Sequence, residues 1–285
     1  MTIPVALVLG GRGLLGQSLM KQLAGNGWET QTLDRNDCNL LNPAELQPRI
    51  ESIHPDIILN AVSWNTEEPA EEQPQEALSV NRGLPAFLGG LVKGTTISLI
   101  HFSSDLVFNG RKEGPYTEED KADPVSVCGK SRLAGEQALL ELGADNICII
   151  RTGWLFGPGG DNFVSRILTQ ARTEPSLEII HDQIGSPSYT VDVAQATVQL
   201  VKRKAQGLYH VANSGRASWC ELAAEAVRQA SLPCKIGAVA TGDGARRAAN
   251  EVLSSAKYAA FTGSPLRPWP QALREYIYTE LLSGQ

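Results

Sequence analysis

Residues 5–16 read Val5-Ala6-Leu7-Val8-Leu9-Gly10-Gly11-Arg12-Gly13-Leu14-Leu15-Gly16, an unbroken apolar run followed by glycines at regular intervals. A run without alternation predicts a parallel strand buried on both faces. From Leu14 to Leu23 the apolar residues recur at helical spacing instead. The join between them, Gly10, Gly13 and Gly16, forms a GxxGxxG turn. The first glycine permits the tight turn, the second lets backbone N–H groups approach a diphosphate, and the third lets helix and strand pack closely. A second strand, Glu29 to Leu33, ends on Asp34, about 20 residues on, where an acidic side chain meets a ribose. Strand, glycine turn, helix and acid together predict a site for the pyrophosphate of NAD or NADP.

Outward from this unit the alternation continues. Asn42-Pro43 with Glu45 starts a helix, Ile57-Ile58-Leu59 is a third strand and Ile97 to Phe102 a fourth. A long helix from Ser126 to Leu142 and a fifth strand, Ile147 to Arg151, follow. The pattern predicts an α/β fold, a Rossmann-type doubly wound parallel sheet, with a smaller α/β substrate domain after it. Residues 1–152 are expected to form the NAD(P)-binding domain, with helix 191–204 returned to its sheet. Residues 153–285 are expected to form the substrate-binding domain. There the rhythm is less regular: a Gly/Pro-rich loop at Trp154 to Asn162, a strand at Leu177 to Ile180, and helices at Ser218 to Ala230 and Gln271 to Leu282.

Composition narrows the partners. The chain of 285 residues has a net charge of -6 with its basic residues scattered, so nucleic acid is not an expected partner. No stretch approaches the about 18 apolar residues of a membrane span, and the N-terminus has no basic leader. The five cysteines contain no CxxC pair and the four histidines no metal-ligand spacing, which predicts reduced thiols, a cytoplasmic location and no metal. Asp34 favours NAD through the adenosine ribose, whereas Arg12 and Arg35 favour the 2′-phosphate of NADP. Both cofactors therefore stay open. The expected cofactor contacts are Gly10, Arg12, Gly13, Leu14, Leu15, Gly16, Asp34 and Arg35, with Asn39, Leu40, Asn60, Ala61 and Ser103 from the following strand ends.

Four later passages carry a family resemblance. They are Phe102-Ser103-Ser104-Asp105 through Gly114-Pro115-Tyr116-Thr117-Glu118; Arg151-Thr152-Gly153-Trp154-Leu155-Phe156-Gly157 with Asn162-Phe163; Asp182-Gln183-Ile184-Gly185-Ser186-Pro187; and Ala245-Arg246-Arg247 with Asn250 and Leu253. In this order they resemble the dTDP-4-dehydrorhamnose reductases of the extended short-chain dehydrogenase/reductase group. The resemblance implies NAD(P)H-dependent reduction of a 4-keto sugar on a nucleoside diphosphate, towards dTDP-L-rhamnose. It implies Ser104 as the group that polarises the ketone and Asp105 as a substrate contact. It also puts Trp154, Asn162 and Gln183 in the sugar pocket, and Arg247 on the diphosphate. A nucleotide sugar is the implied partner, with room for a homodimer.

The chain departs from the family at its chemical centre. Where the family has Tyr-x-x-x-Lys within Y-G-K-x-K-x-x-G-E, this chain reads Cys128-Gly129-Lys130-Ser131-Arg132-Leu133-Ala134-Gly135-Glu136. Cys128 replaces the tyrosine and Arg132 the lysine, and Leu106 stands where the family usually has a tyrosine. A thiol is shorter than a phenol and a weak donor, and a guanidinium keeps its protons. Two classes of function follow: a reductase that draws its proton from water, Ser104 or Asp105, or a catalytically impaired NAD(P)- and nucleotide-sugar-binding protein serving as a regulatory or partner subunit. Cys128 as a nucleophile is a third reading, with Arg132 one turn away to lower its pKa. An epimerase or dehydratase fits the four passages less well. Because Trp154, Gln183 and Arg247 are intact, binding of both ligands is expected.

Overall fold

The computed structural model describes residues 3–64, 67–242 and 248–282. The first half runs β1 (Val5–Leu9), α1 (Leu14–Ala24), β2 (Glu29–Leu33), α2 (Pro43–Ile53) and β3 (Ile57–Asn60). Three short helices follow, α3 (Glu67–Glu72), α4 (Pro74–Leu78) and α5 (Leu84–Val92), with a π-helical turn at Ser79–Gly83 before the last. Then come β4 (Ser98–Ser104), α6 (Val127–Leu140) and β5 (Ile147–Thr152). The second half contains β6 (Leu155–Phe156), α7 (Phe163–Gln170), β7 (Ser176–Ile180), β8 (Ile184–Gly185), β9 (Ser188–Tyr189) and α8 (Thr190–Lys202). It continues with β10 (Gly207–His210), β11 (Ala217–Ser218), α9 (Trp219–Gln229), β12 (Lys235–Val239), α10 (Ala256–Thr262) and α11 (Trp269–Tyr276).

The central sheet has the order β10-β5-β4-β3-β1-β2, and all its neighbours are parallel. The chain therefore reverses direction across the sheet between β1 and β3, and ligands of open α/β sheets enter at such a switch point. β1 shows why an unbroken apolar run is needed there. Ala6 and Val8 face α1 and α8, packing with Leu15, Leu19, Val193 and Ala194. Leu7 and Leu9 face the opposite layer of Leu46, Ile50, Leu84 and Leu88. Three elements from beyond residue 152 belong to the sheet and its α1 side: α8, β10 and α10, whose Tyr258 joins the same core. Helix α8 packs on α1, where Ser18 Oγ donates to Thr190 Oγ1 at 2.8 Å, and β10 adds the sixth strand beside β5. The remaining elements build a second core around Trp154, Phe156, Tyr189, Leu222, Trp269 and Tyr276. Its strands pair as β7 with β12, β6 with β9, and β8 with β11.

A buried ion pair fixes the register of α6 on the sheet. Arg151 grips Glu136 with two bonds, Nε to Oε1 at 2.9 Å and Nη2 to Oε2 at 2.6 Å. Ser103 Oγ donates to the same carboxylate, and Arg151 Nη1 donates to His210 Nε2 at 3.3 Å. The imidazole is thereby set as the tautomer whose Nδ1–H reaches the Tyr116 carbonyl at 3.1 Å. A charged pair with 1% and 4% exposure is tolerated only because nearly all of its polar atoms are engaged. Removing one partner strands the other. Glu136→Gln or Arg151→Met is accordingly expected to lower unfolding stability by about 3–5 kcal/mol. Urea titration at neutral pH checks this, and a loss below about 1 kcal/mol would refute the role given to the pair.

Two buried histidines make the fold sensitive to acid. Burial, then the Arg151 cation, pushes His210 down to about 3, and burial with the Arg132 cation does the same to His101. His101 Nδ1 accepts from Asn60 Nδ2 at 3.2 Å, as a neutral ring does. The unfolded chain protonates both near pH ~6.5. Between these values the unfolded state binds more protons, so stability falls as pH drops below ~6.5, by about 1.4 kcal/mol per pH unit for each ring. Glu118, pushed up by burial, opposes this in part. Denaturation midpoints between about pH 7 and pH 5 should show that slope, and a His101→Gln/His210→Gln variant should flatten it. An unchanged slope in the variant would place the acid sensitivity elsewhere.

Candidate active site

A cleft of about 800 Å³ opens at the carboxyl ends of the strands, over the switch between β1 and β3, and runs to the second core. Its size suits a small-molecule site. Gly10, Arg12, Gly13, Leu14, Leu15 and Gly16 form one wall. Gly10 has φ +78°, a conformation that favours glycine. A side chain on Gly16 would run into the Gly10 carbonyl and the Gly11 Cα, so the loop closes tightly over the start of α1. Helix α1 begins without a side-chain cap, leaving its first N–H groups for a ligand.

At the end of β2, Arg12 Nη1 lies 2.5 Å from Asp34 Oδ2 and 3.4 Å from Asp37 Oδ2. Asp34 Oδ1 accepts the Asn36 N–H at 2.8 Å. That backbone bond, with Arg12 behind it, holds the Asp34 carboxyl below its ordinary range. Asp34, Arg35, Leu40, Ala61 and Ser103 also line the cleft. Two other expected contacts are not in its lining. Asn39 Oδ1 accepts the Leu41 N–H at 3.1 Å in a local turn, and Asn60 is fully buried, accepting from Val62 N at 3.2 Å.

The strand ends of β4 and β5 and the first turns of α6 form the cleft floor. Ser104, Asp105 and Arg132 line it. The Ser104 hydroxyl is engaged both ways: it donates to Asp105 Oδ1 at 2.9 Å and caps the following turn by accepting Leu106 N–H at 3.0 Å. Cys128 lies outside the lining. It is fully buried in an apolar cluster with Ala70, Ala77 and Leu106, and its thiol donates to the Trp64 carbonyl at 3.2 Å. Asn81, on the π-helical turn, holds that segment from both sides, accepting Trp64 N–H at 2.8 Å and donating to Trp64 O at 3.0 Å and Ser131 Oγ at 2.9 Å. A further floor residue escaped sequence reading. Thr152 is the register partner of Ser104 across β4 and β5, lines the cleft, and has a buried Oγ1 with no partner among the described residues.

On the far side Trp154 lines the cleft in a left-handed conformation, φ +49°, rare for so large a side chain. Its ring stacks on Trp219 at 3.5 Å between centroids and 3° between planes, and Trp154 Nε1 donates to Glu251 at 3.3 Å. Trp219 gave no sequence signal, because only the tertiary contact brings it to the cleft. Asn162 lines the cleft while capping α7, with Oδ1 accepting Ser165 N–H at 3.1 Å and Nδ2 donating to Tyr276 OH at 2.9 Å. Gln183 is buried outside the lining and donates to Thr241 Oγ1 at 3.1 Å. Arg247 lies outside the described residues. Among those residues no cluster of His, Cys, Asp or Glu is placed to hold a metal ion, and no helix is long and apolar enough to cross a membrane.

Comparison with known proteins supplies the family. The description "RmlD substrate binding domain" matches residues 4–281. The chain is 35% identical over 275 residues to the spore coat polysaccharide biosynthesis protein SpsK of Bacillus subtilis, covering 95% of this chain and 96% of the relative. It is 34% identical to the dTDP-4-dehydrorhamnose reductase of Aggregatibacter actinomycetemcomitans, covering 94% and 96%. Among solved structures, the dTDP-4-dehydrorhamnose reductase of Bacillus anthracis in complex with NADP superposes with a TM-score of 0.92 at 26% identity, covering 97% and 99%. A full-length sequence match and a full-length structural match agree: the chain belongs to the dTDP-4-dehydrorhamnose reductase family.

Proposed function

We propose that this protein reduces the keto group of a nucleotide-linked 4-keto sugar, as a dTDP-4-dehydrorhamnose reductase, with NADH or NADPH as reductant. The observation that carries the reading is one continuous cleft, with a glycine loop at one end and the Ser104–Thr152 strand ends and the Trp154 wall at the other. Family membership over the full length supports the substrate class. The cofactor fits the residues present. Gly16 lets α1 start hard against the Gly10 carbonyl, where no side chain fits, and the uncapped start of α1 faces the cleft. A bound nicotinamide dinucleotide supplies a hydride. The chain's own residues bind its diphosphate at the loop, orient the adenosine ribose at Asp34, and present the ketone to the floor. Trp154 with its Trp219 backing gives the sugar or its base a rigid apolar wall that excludes water. A nucleotide sugar seated against both halves places its ketone beside the nicotinamide end, where proximity and orientation lower the barrier.

Loss of nicotinamide absorbance on mixing the protein, NADH and dTDP-4-dehydrorhamnose is the direct test. The expected outcome is sugar-dependent oxidation of the cofactor. Absence of turnover would overturn the reading, whether or not calorimetry detects binding of the two ligands.

The same geometry supports a preference for NADH. Arg12 is already claimed by two carboxylates, Asp34 and Asp37, so a 2′-phosphate would arrive beside negative charge whose counter-cation is committed. The ribose hydroxyls of NADH meet an ionised acceptor instead. NADH is therefore expected to bind at least tenfold more tightly than NADPH, about 1.4 kcal/mol, and Asp34→Asn to narrow or reverse the ratio. Fluorescence titration of the two reduced cofactors measures it. Tighter NADPH binding by the unaltered protein would refute the preference.

A further inference from the structure

We propose that Arg132, assisted by Thr152, is the group that binds the carbonyl oxygen and stabilises the alkoxide formed on reduction, so that water supplies the proton. This rests on the reductase reading above. Four observations carry it. Cys128 is buried away from the cleft, with its thiol turned to the Trp64 carbonyl. The Ser104 O–H is spent on Asp105. Arg132 is only 8% exposed, lines the cleft, and its Nε–H has no partner among the described residues. Thr152 Oγ1 is in the same condition on the neighbouring strand end.

Helix geometry sets the level at which Arg132 leaves α6. Glu136 is level with Ser103 and Arg151, which it bonds. Arg132 lies one turn nearer the start of α6, about 6 Å along the axis towards the carboxyl ends of the strands. A strand rises about 3.3 Å per residue, so that turn corresponds to about two residues beyond Ser103 and Arg151. That level is the ends of β4 and β5, where Ser104, Asp105, Thr152 and Gly153 line the cleft together with Arg132. His101 on β4 feels the Arg132 charge, Asp105 lines the same cleft, and Glu136 and Cys128 lie one turn to either side of Arg132 on α6.

A buried donor without an acceptor is costly, and a ligand oxygen relieves the cost. In the reaction the ketone carbon gains a hydride from the reduced nicotinamide, the C=O π pair moves onto oxygen, and the nicotinamide is left oxidised. The resulting alkoxide takes a proton from water, releasing hydroxide to the solvent. Arg132 keeps its protons throughout and acts by charge and hydrogen bonding, as an oxyanion hole does.

The test uses the whole protein, its Arg132→Gln variant and its Arg132→Lys variant. Arg132→Gln should lose on the order of 10²–10³ in kcat. It should also bind the keto sugar about tenfold more weakly in the non-reacting complex with oxidised dinucleotide, with NADH affinity changed less than about threefold. Arg132→Lys should recover activity at neutral pH but lose it at alkaline pH as its ammonium deprotonates, a limb absent from the unaltered protein. Arg132→Gln turnover within threefold of the unaltered rate, or a loss confined to NADH affinity, would overturn the assignment while leaving the reductase reading intact. Absence of sugar reduction by the unaltered protein, with both ligands bound, would overturn that reading and the assignment with it.

Discussion

The Glu136–Arg151 pair is the contact that sets the rest of the floor. It joins α6 to β5, takes in Ser103 from β4 and His210 from β10, and does so where water is excluded. Two charges moved out of water repay their desolvation only if the geometry is bidentate and the remaining lone pairs are used. That condition is met in one rotation and one register of α6. With Glu136 held at the level of Ser103, the helix has no freedom to choose which of its side chains faces the strand ends. Arg132 follows into the cleft and Cys128 into the apolar cluster beneath Trp64. The replacement of a tyrosine by cysteine is therefore more than a change of acid at one point. It leaves the proposed donor role on the floor to Arg132, one turn further along α6, and to Thr152 at the end of β5.

At the other end of the cleft the constraint is steric. The Gly16 position admits no side chain against the Gly10 carbonyl, and this closeness brings the start of α1 to the cleft wall. The aromatic wall is built differently again. Trp154 stands in a left-handed conformation that an unsupported tryptophan would avoid, and the Trp219 stack with the Glu251 bond holds it there. Backbone closeness, an ion pair and ring stacking thus each position one third of a single cleft.

Much of this was legible in the chain. β1, the glycine loop, α1, β2 and Asp34 are adjacent in sequence, so periodicity and spacing suffice to find them. The floor was half legible. Ser104 and Arg132 stand out by position in a motif, but Thr152 has no local feature to distinguish it from any threonine ending a strand. The helices between β3 and β4, with the π-helical turn that carries Asn81, left little trace in the sequence pattern because they are short and held by tertiary bonds. β10 leaves no local sequence trace for a related reason: a brief edge strand far along the chain acquires its identity only by pairing with β5.

The sequence by itself determined the parallel sheet, the glycine loop and the identities at positions 128 and 132, since these depend on residue type and short-range order. The tertiary structure alone decided that Cys128 faces away from the cleft while Arg132 faces in, and that Trp219 backs Trp154. Direction of this kind depends on how a helix is rotated against its neighbours. Here that rotation is set by a buried ion pair between residues on different elements, whose partnership no local pattern announces.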